Sequence, residues 1–320
     1  MVGQTIKRAL TPRQIKTLNE LLAIGVERPF CSPELADRLE SYILAGTFEA
    51  VSAWTERSLY LTKSQLFTAL RCEGQLLSDA SNVKAPGLHQ ATVVGVVAHR
   101  AIQLAHTHPG KPVMDYVREA LAGARSVDEK IERWWAEASS GQQSDVLSQT
   151  HSRVTAFMDD WPPLEEAWSP RFEEPLVAKI GKLTLSSRAD LIIGRPRADL
   201  RQTLLLVDLK SGALRDGHED EAMFYALVAT LRHRVAPWRS TIYSLAEGSY
   251  TEPDVTEERL FAIADKVIEA TKSIVETLTE SRLPNLLAGD HCRWCPIQAV
   301  CPASAFKAEE IAQTASSQAV

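Results

Sequence analysis

The sequence predicts an α/β protein with a small mixed sheet flanked by helices. Three observations carry that reading. Strand-like segments and helical segments follow one another in the order helix, strand, strand, strand, helix, strand after residue 89, the pattern of a layered α/β core. Thr203 to Leu209 is a nearly continuous apolar run, as expected for a strand buried on both faces. Phe172 to Ile180 and Lys182 to Ile193 are separated by Gly181, which reads as a hairpin.

Residues 11–60 read as short helices, with starts at Thr11-Pro12 and at Ser32-Pro33-Glu34-Leu35, since proline suits the first helical position. Residues 64–75 continue the helical pattern, and Ser78 to Gly87 reads as a loop. A helix from about His89 to Ala105 carries Val93, Val94, Val97 and Ile102 on one stripe. Residues 106–160 read as a helical insertion with a polar break at Ser139 to Gln143. Its Trp134-Trp135 pair could stack on nucleic acid, or place one ring in the core and one on a helix shoulder. A helix follows from Gly217 to Val235, with capping-box spacing between Asp216 and Glu219. Ser240 to Leu245 reads as a strand, Glu257 to Thr279 as a long amphipathic helix, and the segment ending AEEIAQTASSQAV as a frayed tail.

The 320 residues suffice for a real hydrophobic core. The N-terminal segment lacks the apolar stretch of a signal peptide, and no apolar run is long enough to span a bilayer, so a cytoplasmic protein is expected. The net charge of −6 runs against non-specific nucleic-acid binding, although net charge does not report local fields. Five cysteines, an odd number with three crowded into residues 292–301, argue against a disulfide framework and for a metal.

The chemistry concentrates in two constellations. In Val207-Asp208-Leu209-Lys210 the acid and the lysine stand two apart and share one face of a strand. Such a pair is either an ion pair at a strand end or a catalytic couple, the carboxylate holding a divalent cation and the lysine orienting a water and helping to deprotonate it. Asp190 precedes the apolar run Leu191-Ile192-Ile193 and can sit beside Asp208 if the two strands pair. Two carboxylates there would make an oxygen-rich site suited to Mg²⁺ or Mn²⁺. Glu173 and Glu174 open the strand before it and read as a solvated strand end. In the second constellation, Cys292, Cys295 and Cys301 have C-x2-C-x5-C spacing, and Cys72 lies far upstream. Four thiolates suit a [4Fe–4S] cluster; zinc, more often held by two close pairs, and uncoordinated thiols are the alternatives. Cys31 has no partner in this arrangement.

These residues resemble the RecB-like branch of the PD-(D/E)XK nucleases. The branch has a helical GxxxH motif, here Gly95 to His99, then an acid motif, here Asp190, then the D-x-K strand, here Asp208 and Lys210. A QxxxY motif follows, matched by Glu221 to Tyr225 with Glu in place of Gln. The resemblance implies a restriction-endonuclease-like core, with His99, Asp190, Asp208 and the backbone carbonyl of Leu209 as metal ligands and Lys210 as the group acting on water. In relatives an acid near the position of Glu173 and Glu174 sometimes supports the metal site. It implies DNA contact or site positioning for Tyr225, and the carboxylate of Glu221 counts against phosphate contact there. Arg188, Arg215 and Arg232 are candidate DNA contacts. The four cysteines are similar to the iron–sulfur subset, which includes AddB-type nuclease domains and CRISPR-associated adaptation exonucleases. In that subset a cysteine is often followed by proline, as Cys295 and Cys301 are and Cys72 is not. A centre tying Cys72 to the C-terminal trio would close a loop of roughly 220 residues, worth on the order of 4–5 kcal/mol if it acts as a covalent cross-link.

Residues 1–59 read as a helical region and about 106–160 as a helical insertion, both outside the resemblance, and 306–320 as a flexible tail. The resemblance covers a nuclease domain over 60–305. It implies a Mg²⁺- or Mn²⁺-dependent deoxyribonuclease, an exonuclease acting on single strands or ends in DNA repair, recombination, CRISPR or phage defence. Its partners would be DNA and a helicase or other subunit of such a complex. The alternative is a non-catalytic DNA-binding or scaffold subunit of a larger machine, or a zinc-stapled regulatory protein.

Overall fold

A computed structural model describes residues 9–55, 58–80 and 87–304. The C-terminal stretch expected to fray, and most of the loop expected between Ser78 and Gly87, lie outside them.

The order of elements follows from local signals. Helix α1 (Pro12–Lys16) opens on a complete capping box between Thr11 and Gln14, and a π-helical turn, Thr17–Leu22, continues it. Helix α2 (Leu35–Ala53) has 19 residues, so this region is not made of short helices alone. Strand β1 (Leu59–Thr62) corrects the helical reading of 11–60 further. Four residues carry too little periodicity to be recognised as a strand, and this one is fixed by its neighbour in the sheet. Helices α3 (Lys63–Arg71) and α4 (Glu73–Ala80) follow, α3 capped by Thr62 and Gln65. A helical layer is formed by α5 (Gln90–Thr107), α6 (Val113–Val127), α7 (Glu129–Glu137) and α8 (Ser140–Asp160). The polar break expected at Ser139 to Gln143 falls where α7 ends and α8 begins, and Ser139 and Gln142 cap α8 reciprocally.

The hairpin comes next, β2 (Arg171–Ile180) and β3 (Leu183–Ile193), turning at Gly181 with φ +57°. Then follow β4 (Leu205–Lys210), α9 (His218–His233), β5 (Arg239–Ser244), the short β6 (Ser249–Tyr250) and α10 (Glu257–Leu278). The capping box expected from Asp216 is absent. Gly217, left-handed at φ +87°, occupies the cap position, so Asp216 lies before the helix start and no side chain accepts from the first turn.

Strand β3 organises the sheet. It pairs along its length with antiparallel β2, which fills one edge. On the other edge, parallel β1 covers residues 183–186 and antiparallel β4 covers 191–193. Because β1 runs with β3 and β4 runs against it, the carboxyl ends of β1 and β4 point towards each other across residues 187–190. Beyond β4 lie parallel β5 and antiparallel β6.

Alternation along the strands divides the apolar residues between two cores. Ile192, Leu206 and Ile242 pack with α2, α3, α9 and α10, while Leu191, Val207 and Tyr243 pack with α5, α6 and α8. The helices of 106–160 thus cover one sheet face, and α2 contributes Leu35, Leu39 and Ile43 to the opposite core. Trp134 and Trp135 both lie half-buried against the α5–α8 core, their centroids 6.5 Å apart. Cys31 is buried, its thiol held near the Ala236 N–H, and burial pushes its pKa up. It behaves as a small apolar residue.

Glu73, at the junction of α3 and α4, ties that junction to the end of α10 and the segment after it. Its carboxylate accepts from Arg282 at 2.6 and 2.7 Å, from Ser273 at 2.5 Å and from the Asn285 N–H at 2.6 Å. The Arg282 guanidinium, opposed by burial and helped by the other donors, holds the Glu73 carboxyl down at about 2. A carboxyl depressed in the folded state stabilises above its unfolded pKa and loses that contribution as pH falls through the folded value. Glu73→Gln is therefore expected to cost about 2 kcal/mol at pH 7, with the difference from the parent shrinking between pH 5 and pH 2, as urea unfolding at several pH values would record.

Candidate active site

The gap between the ends of β1 and β4 is filled by ionisable side chains from six elements. The β3–β4 pairing ends at Leu191↔Val207, and the next residue on each strand is Asp190 and Asp208. Asp190 Oδ2 accepts from the Leu209 N–H at 2.6 Å, so the backbone of β4 fixes the acid on β3. His99, on α5, brings Nδ1 to 3.4 Å from Asp190 Oδ1. Glu173, from β2, completes this half. Among the described residues, His99, Glu173 and Asp190 are the group of three potential metal ligands whose donor atoms lie within 4.8 Å of one another. Glu173 adopts φ +52°, a left-handed conformation costly for a non-glycine residue inside a strand and characteristic of functional sites.

The other half surrounds Asp208, which is 6 % exposed. Tyr225 Oη donates to Asp208 Oδ1 at 2.5 Å, Lys210 Nζ lies 2.7 Å from Oδ2, and Lys63 Nζ lies 3.4 Å from Oδ1. Glu221 Oε2 stands between the two lysines, 2.9 Å from Lys63 and 3.1 Å from Lys210. Burial pushes Asp208 up, but the ammonium groups of Lys210 and Lys63 outweigh it and leave the carboxyl below its usual range. Burial likewise lowers Lys210, yet Asp208 and Glu221 reverse the sign and hold it above a free lysine.

The two halves differ in charge. Two carboxylates and two ammonium groups cancel around Asp208, whereas Glu173 and Asp190 lie beside His99, with the Arg188 guanidinium also acting on Glu173. Burial and then Asp190 raise Glu173, and Asp190 raises His99 against the effect of burial. The donor set of one imidazole and two or three carboxylates fits a divalent cation.

The structure thus brings His99, Asp190, Asp208, Lys210, Glu221 and Tyr225 together. Tyr225 is 4 % exposed, so its hydroxyl acts on Asp208 rather than on a ligand in the cleft. Leu209 contributes its N–H to Asp190, and its side chain is buried. Arg188 and Arg215 are exposed near the site, while Arg232 sits in the last turn of α9, two turns beyond Tyr225. Lys63 was not foreseen. Its only signal is a cation directly after a strand whose existence four residues do not disclose.

The cysteines form a separate place in the fold. Cys72 caps the C-terminal end of α3. Its thiol lines one cavity with those of Cys292, Cys295 and Cys301, together with Gly74 and His291. All five cysteines of the chain are free, and burial followed by the nearby Cys72, Cys301 and Cys292 raises Cys295. No three of the thiols lie within 4.8 Å of one another, so a formed thiolate centre is not seen.

A mixed sheet flanked by helices, with acids and a lysine at facing strand ends, fits a restriction-endonuclease-like fold. Residues 60–302 match the model of the PD-(D/E)XK nuclease superfamily, and the chain belongs to that superfamily, whose members hydrolyse phosphodiester bonds with divalent metals such as Mg²⁺. A search of curated proteins found no match. No helix among the described residues is long and apolar enough to cross a membrane.

A raised His99 must lose its proton to ligate a metal, and Glu173 likewise. Mn²⁺ binding is therefore expected to strengthen as pH rises from 6 to 8 and to release protons. Calorimetry in buffers of different ionisation enthalpy would measure both.

Proposed function

We propose that the protein is a RecB-like, Mg²⁺- or Mn²⁺-dependent deoxyribonuclease, an exonuclease acting on DNA ends or single strands. The observation that carries the reading is the buried Asp208–Lys210 pair standing beside the His99, Glu173 and Asp190 group. His99, Glu173 and Asp190 would hold the cation, with Asp208 on its flank. When bound, the cation supplies Lewis-acid polarisation of the phosphoryl group. Tyr225 fixes one oxygen of Asp208 and Lys210 the other. Lys210 keeps its proton at neutral pH, so at this site its Nζ donates: it orients the attacking water and faces the charge that develops on the phosphate oxygens. Arg188 and Arg215 are the exposed cations able to meet the backbone of a strand. Repair, recombination, CRISPR and phage defence are the settings in which such an activity belongs, with a helicase or similar subunit as partner, in the cytoplasm.

The same reading places a [4Fe–4S] cluster on Cys72, Cys292, Cys295 and Cys301. Four free thiols lining one cavity support it. In domain terms, the reading assigns residues 60–305 to the nuclease and 1–59 to a helical region whose α2 packs against α9 and α10.

End-labelled single- and double-stranded DNA should be cleaved by anaerobically purified protein with Mn²⁺ or Mg²⁺ and left intact with EDTA. Asp208→Ala and Lys210→Ala should each lose about a hundredfold or more in rate. Parental rates in either variant would show the site to be misassigned, and an inert but intact parent would make the chain a DNA-binding or scaffold subunit. The parent should carry about four irons per chain and Cys72→Ser should lose them; zinc without iron would replace the cluster by a zinc centre.

A further inference from the structure

Lys63 is the cation at the site that no motif explains. It is the first residue of α3, placed where β1 ends beside the stretch of β3, residues 187–190, that lies between its pairing with β1 and with β4. Its side chain is only 22 % exposed, as is that of Glu221, so the contact is not a solvated surface pair of the kind worth little. Lys63 and Lys210 share two acids, Asp208 and Glu221, and the four charges cancel. Removing Lys63 would leave one ammonium group for two carboxylates. Glu221 would then compete with Asp208 for Lys210 and present an uncompensated negative charge to an approaching phosphate. Neutralising Glu221 as well would return Lys210 to Asp208 alone and restore the balance.

We propose that Lys63 is a positioning residue of the hydrolytic site. By neutralising Glu221 it keeps Lys210 on Asp208 and keeps the phosphate's path free of a bare carboxylate. The inference rests on the nuclease reading for its consequence in catalysis, but the charge coupling can be measured without catalysis.

A double-mutant cycle of Lys63→Met and Glu221→Gln in the full chain tests it, with two readouts: single-turnover DNA cleavage in saturating Mn²⁺, and Mn²⁺ affinity by electron paramagnetic resonance titration without DNA. Lys63→Met should slow cleavage by about tenfold or more and at the same time tighten Mn²⁺ binding severalfold, because a positive charge has left the neighbourhood of the acids. Adding Glu221→Gln should bring both quantities to within about threefold of Glu221→Gln alone, and Lys63→Arg should retain more cleavage than Lys63→Met. A merely structural defect would weaken Mn²⁺ binding, not tighten it. A Lys63→Met defect that persists in full beside Glu221→Gln would overturn the proposal, as would a Lys63→Met enzyme cleaving within about twofold of the parent. Should Lys63→Met not fold, the charge swap Lys63→Glu with Glu221→Lys takes its place, and failure of the swap to recover Mn²⁺ affinity would overturn the proposal equally. A parent that binds Mn²⁺ but does not cleave would remove the nuclease reading, while the Mn²⁺ arm would still decide whether Lys63 answers Glu221.

Discussion

An ionised carboxylate buried at the end of an apolar strand is the constraint around which the structure is arranged. Asp208 is 6 % exposed, and a charge there is tolerable only if it is paired and hydrogen-bonded. The partners cannot come from β4 itself beyond Lys210, because the neighbouring residues Val207 and Leu209 point to the opposite face. They come from α9 as Tyr225 and from the start of α3 as Lys63. The positions of three elements are thus tied to one carboxylate. Removing any single partner would leave the remaining charges in a low-dielectric pocket, where an unmatched group costs more than the pair contributes.

The sheet makes this arrangement possible by changing partners along β3. A continuous neighbour would cover residues 187–190 with backbone hydrogen bonds and side chains. Instead β1 stops at Ser186 and β4 begins pairing at Leu191, so two strand ends and the helices that follow them converge on Asp190. The sheet separates two cores, and the site is where they communicate: His99 arrives from α5 on one face, Tyr225 from α9 on the other. Packing against both cores fixes the ligands before any cation arrives, which limits the reorganisation that binding requires.

Much of this was legible in the residues. The apolar run before Asp208, the turn at Gly181 and the stripe on α5 marked their elements within a few positions, because each is long or chemically distinctive. Asp190 and Asp208 could be placed together from strand pairing alone. What could not be read depends on contacts distant in sequence. Strand β1 has four residues and exists through β3. The left-handed backbone at Glu173 is set by its neighbours, since glutamate has no preference for it. Asp216 had the spacing of a cap, yet Gly217 turned the chain ahead of it. Glu221 looked like a charge misplaced near a phosphate site. Its two lysines come from residues 63 and 210, and no local pattern connects those positions.

Helix α3 joins the two constellations mechanically. Lys63 is its first residue and Cys72 its C-terminal cap, so nine helical residues, about 13.5 Å of nearly rigid rod, connect the active site to the cysteine cavity. Glu73, the next residue, is locked to Arg282, Ser273 and Asn285. The position of Lys63 is therefore referred to the C-terminal segment rather than to the adjacent sheet alone. A helix anchored at only one end could rotate by a fraction of a turn and move the Lys63 ammonium out of reach of Glu221. Anchoring at both ends removes that freedom, and the thiols at residues 292–301 stand where a further anchor would act on the same rod.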